Sequence, residues 1–416
     1  MESNLQISKL KKFSSNFIET SLSLKKEIIL HSKQILENFD FPTTRDEHWK
    51  YTRLTKLSQL LLHQTSNSNG VSLPPLNNSQ VISIVNGNIT SYNRIEGLSI
   101  TKFSEATKEK INLIGKYVPL DGNIFNSLNT LYCKDGLFIE VNENQRIENP
   151  IQLTIENNEQ GVFSPIRILI HSKKGSSAQF LLNFESTCES LSLPVFEYHI
   201  GQNARLTVDK IQLESNKAFS ISSDQVYQER DSYFKINTIS LSGKLTRNNL
   251  NILVDGENCE THLNGTYLPK DDQLIDNHTV VDHLQPNCNS SELYKGVLNG
   301  KSIGVFNGKV FVRPNAQKIN AFQSNANVLI SEDATMNSKP ELEIYADDVK
   351  CSHGSTTGQM DEDALFYLRS RGLSTKSART LMTQAFIGDV LNKIENSEVV
   401  EYVHSKLIEL HDWTEL

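Results

Sequence analysis

The chain has 416 residues, enough for two or three domains, and its 38% hydrophobic and 22% charged residues form an ordinary globular balance that excludes bulk disorder. A net charge of -8 argues against a dedicated nucleic-acid binder, which usually carries a basic field. The five cysteines, Cys133, Cys188, Cys259, Cys288 and Cys351, include no CxxC pair. That fits a reducing cytoplasm and leaves no four-thiolate metal site of short spacing within the chain.

The start, Met1-Glu2-Ser3-Asn4, is polar, and no apolar run approaches the ~20 residues that span a bilayer, so a soluble, unexported, cytoplasmic protein is expected. Leu5, Leu10, Phe13, Phe17, Leu22, Ile28, Ile29 and Ile35 recur at helical intervals until Phe41-Pro42. A short helix is expected over Arg53–Leu62, then a polar loop from Gln64 to Gly70. Val81–Ile89 reads as extended about a turn at Asn86-Gly87-Asn88. Ser104–Ile114 and Asn123–Tyr132 read as helices. Residues 1–135 thus make a mainly helical N-terminal domain.

Short strand-like runs follow: Leu137–Val141, Ile166–Ile170, Gln179–Phe184, Leu206–Leu213, Phe234–Leu241, Leu250–Val254, Val305–Val312 and Ala326–Ile330. Gly, Asn, Asp and Ser separate them, and no helical pattern intervenes, which excludes a doubly wound α/β sheet. A sandwich, a barrel or a β-solenoid fits residues 136–348. Asn299, Asn307, Asn315, Asn320, Asn325, Asn327 and Asn337 could fill solenoid corners in hydrogen-bonded ladders. Residues 349–416 return to helix. Asp361-Glu362-Asp363 opens one over Ala364, Leu365, Tyr367 and Leu368, with Gly372 as its stop. Ser374 caps a second over Ala378, Leu381, Met382, Ala385 and Phe386, and a third runs over about Glu398–Leu410, the three forming a small bundle.

The stretch Ser338-Lys339-Pro340-Glu341-Leu342-Glu343-Ile344-Tyr345-Ala346-Asp347-Asp348-Val349-Lys350-Cys351-Ser352-His353-Gly354 resembles the signature of the SufB/SufD family of iron–sulfur cluster assembly proteins. So do Phe366-Tyr367-Leu368-Arg369-Ser370-Arg371-Gly372, His283-Leu284-Gln285-Pro286, Tyr294-Lys295-Gly296-Val297-Leu298, Phe306-Asn307-Gly308-Lys309, Asn320-Ala321-Phe322-Gln323 and Glu47-His48-Trp49-Lys50-Tyr51-Thr52. Gly354 after His353, where SufB typically has glutamate, and the lack of clustered N-terminal cysteines resemble the SufD branch.

The resemblance implies a mainly β fold, a right-handed parallel β-helix core flanked by N- and C-terminal helical domains. It implies pairing with SufB through the β-helices, or a homodimer in isolation, and docking of the SufC ATPase on the C-terminal domain. Phe366, Arg369 and Arg371 are the candidate contacts there. It further implies His353 as an iron or cluster ligand shared with SufB, the nascent iron–sulfur cluster or iron being held transiently. No nucleic acid and no membrane are expected as partners.

On an extended segment Cys351 and His353 project from one face, and both are ligand types that suit iron. Cys351 is the weaker candidate, since a single cysteine there is often a small buried hydrophobe. His283 and Cys288 are soft ligands with no local metal spacing; turn hydrogen bonding or core packing explains them as well. Asp347 and Asp348 face opposite ways and suit a solvated turn. There is no GxxxxGK[ST], GxSxG or HExxH motif, so no nucleotide site and no enzymatic activity is expected. A purely structural adaptor, or a β-solenoid carbohydrate-active enzyme with two carboxylates in a groove, are the competing readings.

Overall fold

The computed structural model describes residues 8–20, 24–69, 76, 79–92 and 94–411. Met1–Asn4, Leu5, Leu22 and Gly70 of the sequence reading lie outside the described residues. The long first helix divides into α1 (Lys9–Ser14) and α2 (Lys26–Asn38). Ser8 caps α1 by accepting from Lys11 N–H. Arg53–Leu62 makes only a single 3₁₀ turn, at Leu57–Gln59, and buries Leu54, Leu57 and Leu62 in the core.

Then come β1 (Gln80–Val85), β2 (Asn88–Tyr92), β3 (Leu98–Lys102), α3 (Lys108–Leu113) and α4 (Ile124–Tyr132). The expected turn is a tight hairpin: Asn86 and Gly87 both take positive φ, 51° and 76°, as a two-residue connection between right-twisted strands requires.

Sixteen further strands fill the middle of the chain. They are β4 (Gly136–Val141), β5 (Ile151–Asn157), β6 (Val162–Ser172), β7 (Ser177–Ser186), β8 (Ser190–Ile200), β9 (Arg205–Leu213), β10 (Phe219–Gln228) and β11 (Tyr233–Ser242). The series continues with β12 (Leu245–Val254), β13 (Glu260–Tyr267), β14 (Leu274–His283), β15 (Asn289–Leu298), β16 (Ile303–Val312), β17 (Ile319–Leu329), β18 (Thr335–Ile344) and β19 (Val349–Gln359). Odd-numbered strands from β5 stack into one sheet and even-numbered ones into the other, each pairing in parallel with the strand two ahead. The chain is therefore a parallel β-solenoid of two facing sheets, which settles the choice left open with the sandwich and the barrel.

Inward residues repeat coil by coil because parallel register keeps in-line side chains on one face. One such column runs Ile151, Phe180, Val208, Ile236, Leu263, each paired with the next and each fully buried or nearly so. Removing any of these side chains to alanine should cost roughly 2–5 kcal/mol.

One corner is turned by a residue with positive φ in each coil from β4–β5 to β16–β17: Asn144, Gly175, Asn203, Asp231, Asn258, Asn287 and Lys318. Short Asn and Asp side chains tolerate this conformation, and each backbone N–H reaches the coil ahead, as from Asn258 to Pro286 O. Corner asparagines thus exist, but mostly at other positions than the expected set. Of that set, Asn320 does form a ladder, donating to Asn289 Oδ1 at 2.8 Å, while Asn325 and Asn327 lie inside the solenoid.

Helices cover the outer face of both sheets. α1, α2 and α4 pack on Phe163, Leu191, Leu193, Phe219, Ile221 and Leu245 of the even-numbered sheet. Asn129 of α4 donates to the carbonyls of Ile166 and Leu193 at 2.8 and 2.7 Å.

At the other end of the chain, α5 (Glu362–Ser370), α6 (Thr375–Leu391) and α7 (Ser397–His411) begin at the expected caps Asp361 and Ser374, with Gly372 at φ 97°. α6 and α7 do not close a bundle of their own. Ile387, Val390, Val399, Val403 and Leu407 are buried on Leu181, Ile211, Ile239 and Leu241 of the odd-numbered sheet.

The expected division at residue 135 is crossed by β1–β3, which belong to the two sheets. The one at 348 is crossed by β19, which pairs with β17 as part of the last coil. No helix among the described residues is long and apolar enough to cross a membrane.

Candidate functional site

The two ends of the solenoid differ. At the first coil, β2 and β3 lie antiparallel on the sheet edges and close them. At the last coil, β18 and β19 are the outermost strands of their sheets, and no described strand pairs with their free edges. A bare parallel edge of this length offers unpaired N–H and C=O groups to another chain, and proteins ordinarily blunt such edges. Here Phe322 and Tyr345 beside it are also solvent-exposed.

His353 and Cys351 stand on β19, opposite Gln323 and Ala321 of β17. Both face the interior, as the strand period requires. Ser355, two residues on, meets Ser338 of β18 across the mouth at 2.7 Å, and Cys351 packs against the solenoid core. Burial pushes the Cys351 thiol up from its ordinary range, with backbone hydrogen bonding to Ala321 partly opposing it. His353 is solvent-exposed and has no hydrogen-bond partner among the described residues. One face of one strand thus holds a thiol and an imidazole at an uncapped opening, two donors that suit iron.

The other candidates sit elsewhere. His283 is buried inside β14, where burial pushes its imidazole down to about 4 and its Nε2 pairs with Ser290 Oγ at 2.9 Å. Cys288 lies beside Cys259 of the neighbouring coil, whose backbone N–H donates to Cys288 Sγ at 3.4 Å, and Cys288 faces Gly256 O at 3.2 Å. The contact with Cys259, together with burial, pushes the Cys288 thiol up from its ordinary range. Asp347 and Asp348 form an exposed turn in which Asp348 N–H donates to Gln317 Oε1. No group of three or more metal-ligating side chains is gathered among the described residues.

Phe366, Arg369 and Arg371 are all exposed at the α5–α6 hairpin, Phe366 at 71%. With Ser370, Leu373, Ser374 and Thr375, Phe366 and Arg369 line a shallow concavity there. Arg371 stacks over the Tyr367 ring at 5.1 Å. Sequence reading did not connect Gln323, Glu292, Ser338 and Ser355 with the mouth. The in-register pairing that gathers them there is a long-range property.

Fold and site together define a helix-flanked parallel β-solenoid with one closed end and one bare end that presents Cys351 and His353. Residues 154–386 match the SUF system FeS cluster assembly, SufBD core domain, and residues 11–153 the SufBD protein N-terminal region. An iron–sulfur cluster assembly SufBD family protein of Synechocystis is 29% identical over 86% of this chain and 85% of its own length. Protein ABCI7, chloroplastic, of Arabidopsis thaliana is 30% identical over 88% and 82%. The iron–sulfur cluster assembly protein SufD of Escherichia coli is 26% identical over 91% and 90%. The chain belongs to the SufBD family of iron–sulfur cluster assembly proteins.

Proposed function

We propose that this chain is a SufD-like, non-enzymatic subunit of a SufBCD-type complex, a scaffold for iron–sulfur cluster assembly. The bare end carries this reading. Its two unpaired sheet edges suit a second β-solenoid, SufB, and its inward-facing His353 suits a ligand to iron or nascent cluster shared across that junction. Cys351 is a secondary donor. The C-terminal hairpin, with Phe366, Arg369 and Arg371 exposed, suits docking of the SufC ATPase, whose movement would be passed to the solenoid through α6 and α7. The iron and sulfide are cargo of such a scaffold, and the nucleotide belongs to SufC.

The test is anaerobic iron and sulfide content of the complex purified after co-expression with SufB and SufC of the same organism, wild type against His353→Ala. An intact complex with reduced iron supports the shared ligand. An intact complex with unchanged iron makes the chain a structural adaptor, and absence of a complex overturns the assignment.

A further inference from the structure

The inward column that is apolar from Ile151 to Leu263 changes character in the last three coils, where it continues as Glu292, Gln323 and His353. Glu292 and Gln323 are each only 4% exposed. Gln323 Nε2 donates to Glu292 Oε2 at 2.7 Å, and Thr279 Oγ1 donates to Glu292 Oε1 at 2.5 Å, so both carboxyl oxygens accept. The amide is packed in place as well: a Cβ on Gly308 would lie 2.2 Å from Gln323 Nε2. With its nitrogen directed back toward β15, the diverging oxygen of the planar amide is turned away from that strand. Gln323 Oε1 is buried and has no partner among the described residues.

The neighbouring inward amides are satisfied. Asn325 Oδ1 accepts from Asn327 Nδ2 and Ser338 Oγ, both at 2.8 Å, and Asn327 Oδ1 accepts from Tyr267 OH at 2.5 Å. An orphaned buried acceptor is costly and calls for a donor. The in-register residue on the next strand is His353, and adjacent strands lie about 4.8 Å apart, within side-chain reach.

Building on the shared-ligand reading above, we propose that Gln323 is a positioning residue for His353: its Oε1 accepts one ring N–H and so leaves the other ring nitrogen as the free donor toward iron or cluster. A neutral imidazole has one donor and one acceptor nitrogen, and a carbonyl partner on the first fixes the tautomer and aim of the second. Glu292 acts one step further back, holding the amide so that oxygen rather than NH₂ is offered.

The test uses the full-length chain with ¹⁵N-labelled histidine, observed by long-range ¹H–¹⁵N NMR where the rings are neutral, with His353 assigned through its loss in His353→Ala. Wild type should show one dominant tautomer. Gln323→Leu should relax it toward the mixture of an unconstrained ring, and Gln323→Met, close in length but without an amide oxygen, should do the same. In the co-purified complex, Gln323→Leu should weaken anaerobic Fe(II) binding by about 10-fold or more.

An unchanged tautomer in Gln323→Leu overturns the proposal. So does iron binding that falls in His353→Ala and stays at wild-type level in Gln323→Leu. A tautomer that responds to Gln323 while iron binding is indifferent to both variants upholds the contact and overturns the ligand reading instead.

Discussion

Ser338 of β18 and Ser355 of β19 meet hydroxyl to hydroxyl across the mouth of the last coil, 2.7 Å apart. Ser338 also donates to Asn325 Oδ1 at 2.8 Å, so Ser355 supplies the proton between the two serines. This chain of bonds ties the two outermost strands to each other and to the coil behind them. Ser338→Ala should cost about 1 kcal/mol of the local stability of the last coil. Hydrogen exchange should speed up in β18 and β19 first, with the inner coils unaffected. Uniform acceleration along the whole solenoid would show that the mouth is not an independently opening unit.

The bare edge can be blocked without touching the core. Gly354 and Gly358 alternate with the inward residues of β19, and a side chain at either meets nothing within 4 Å. Gly354→Lys with Gly358→Lys should leave thermal stability nearly unchanged, within about 0.5 kcal/mol per site. The same change should weaken association through this edge at least 10-fold, because lysine on an edge strand opposes pairing. Light scattering on the isolated chain and co-purification with SufB are the measurements. Undiminished association would place the interface elsewhere.

The parts of the fold legible in the sequence are those whose signals are local. Asp361, Ser374 and Gly372 mark their helix ends because capping involves neighbours within one turn. β7, β9 and β11 were readable through apolar inward residues such as Phe180, Val208 and Ile236. β10, β14 and β15 were hidden because their inward positions include Ser220, Ser222, Asp224, His283, Ser290 and Glu292. These break the apolar alternation, and the partners that compensate them lie far off in the sequence, as Lys210 Nζ does in donating to Asp224 Oδ2 at 2.7 Å. Period two sufficed to place Cys351 and His353 on one face. Nothing local in the sequence could put Gln323 beneath His353, since that depends on the register between β17 and β19.

Glu292 gives the fold a specific pH dependence. Burial pushes its carboxyl up to about 7, and the hydrogen bonds from Gln323 and Thr279 only partly offset this. Its folded value therefore lies above the unfolded one of ~4.3. Stability from the neutral acid is complete below that unfolded value and is lost as pH rises through about 7. Glu292→Gln, which never ionises and can still accept from Gln323, should exceed wild type by about 3 kcal/mol at pH 8. The advantage should vanish near pH 4. Urea titrations at several pH values measure it. A gap that does not vary with pH would mean that Glu292 keeps an ordinary carboxylate affinity in the folded chain.

The proposed docking of SufC on the C-terminal hairpin can be tested apart from stability. Leu365 is buried, whereas Phe366 and Tyr367 are exposed beside it, so the helix presents apolar surface that its own packing does not use. Phe366→Asp together with Arg369→Glu changes both the apolar and the charged part of that surface. Because neither side chain is buried, the thermal midpoint should move by no more than a few degrees. Association with SufC should fall by 10-fold or more, while pairing through β18 and β19 continues. Loss of both associations together would show that the hairpin and the mouth are coupled through α6. Retention of SufC binding would move the docking surface off this hairpin, toward the cleft that Arg379 and Thr383 of α6 form with Leu268 and Val297 of the solenoid.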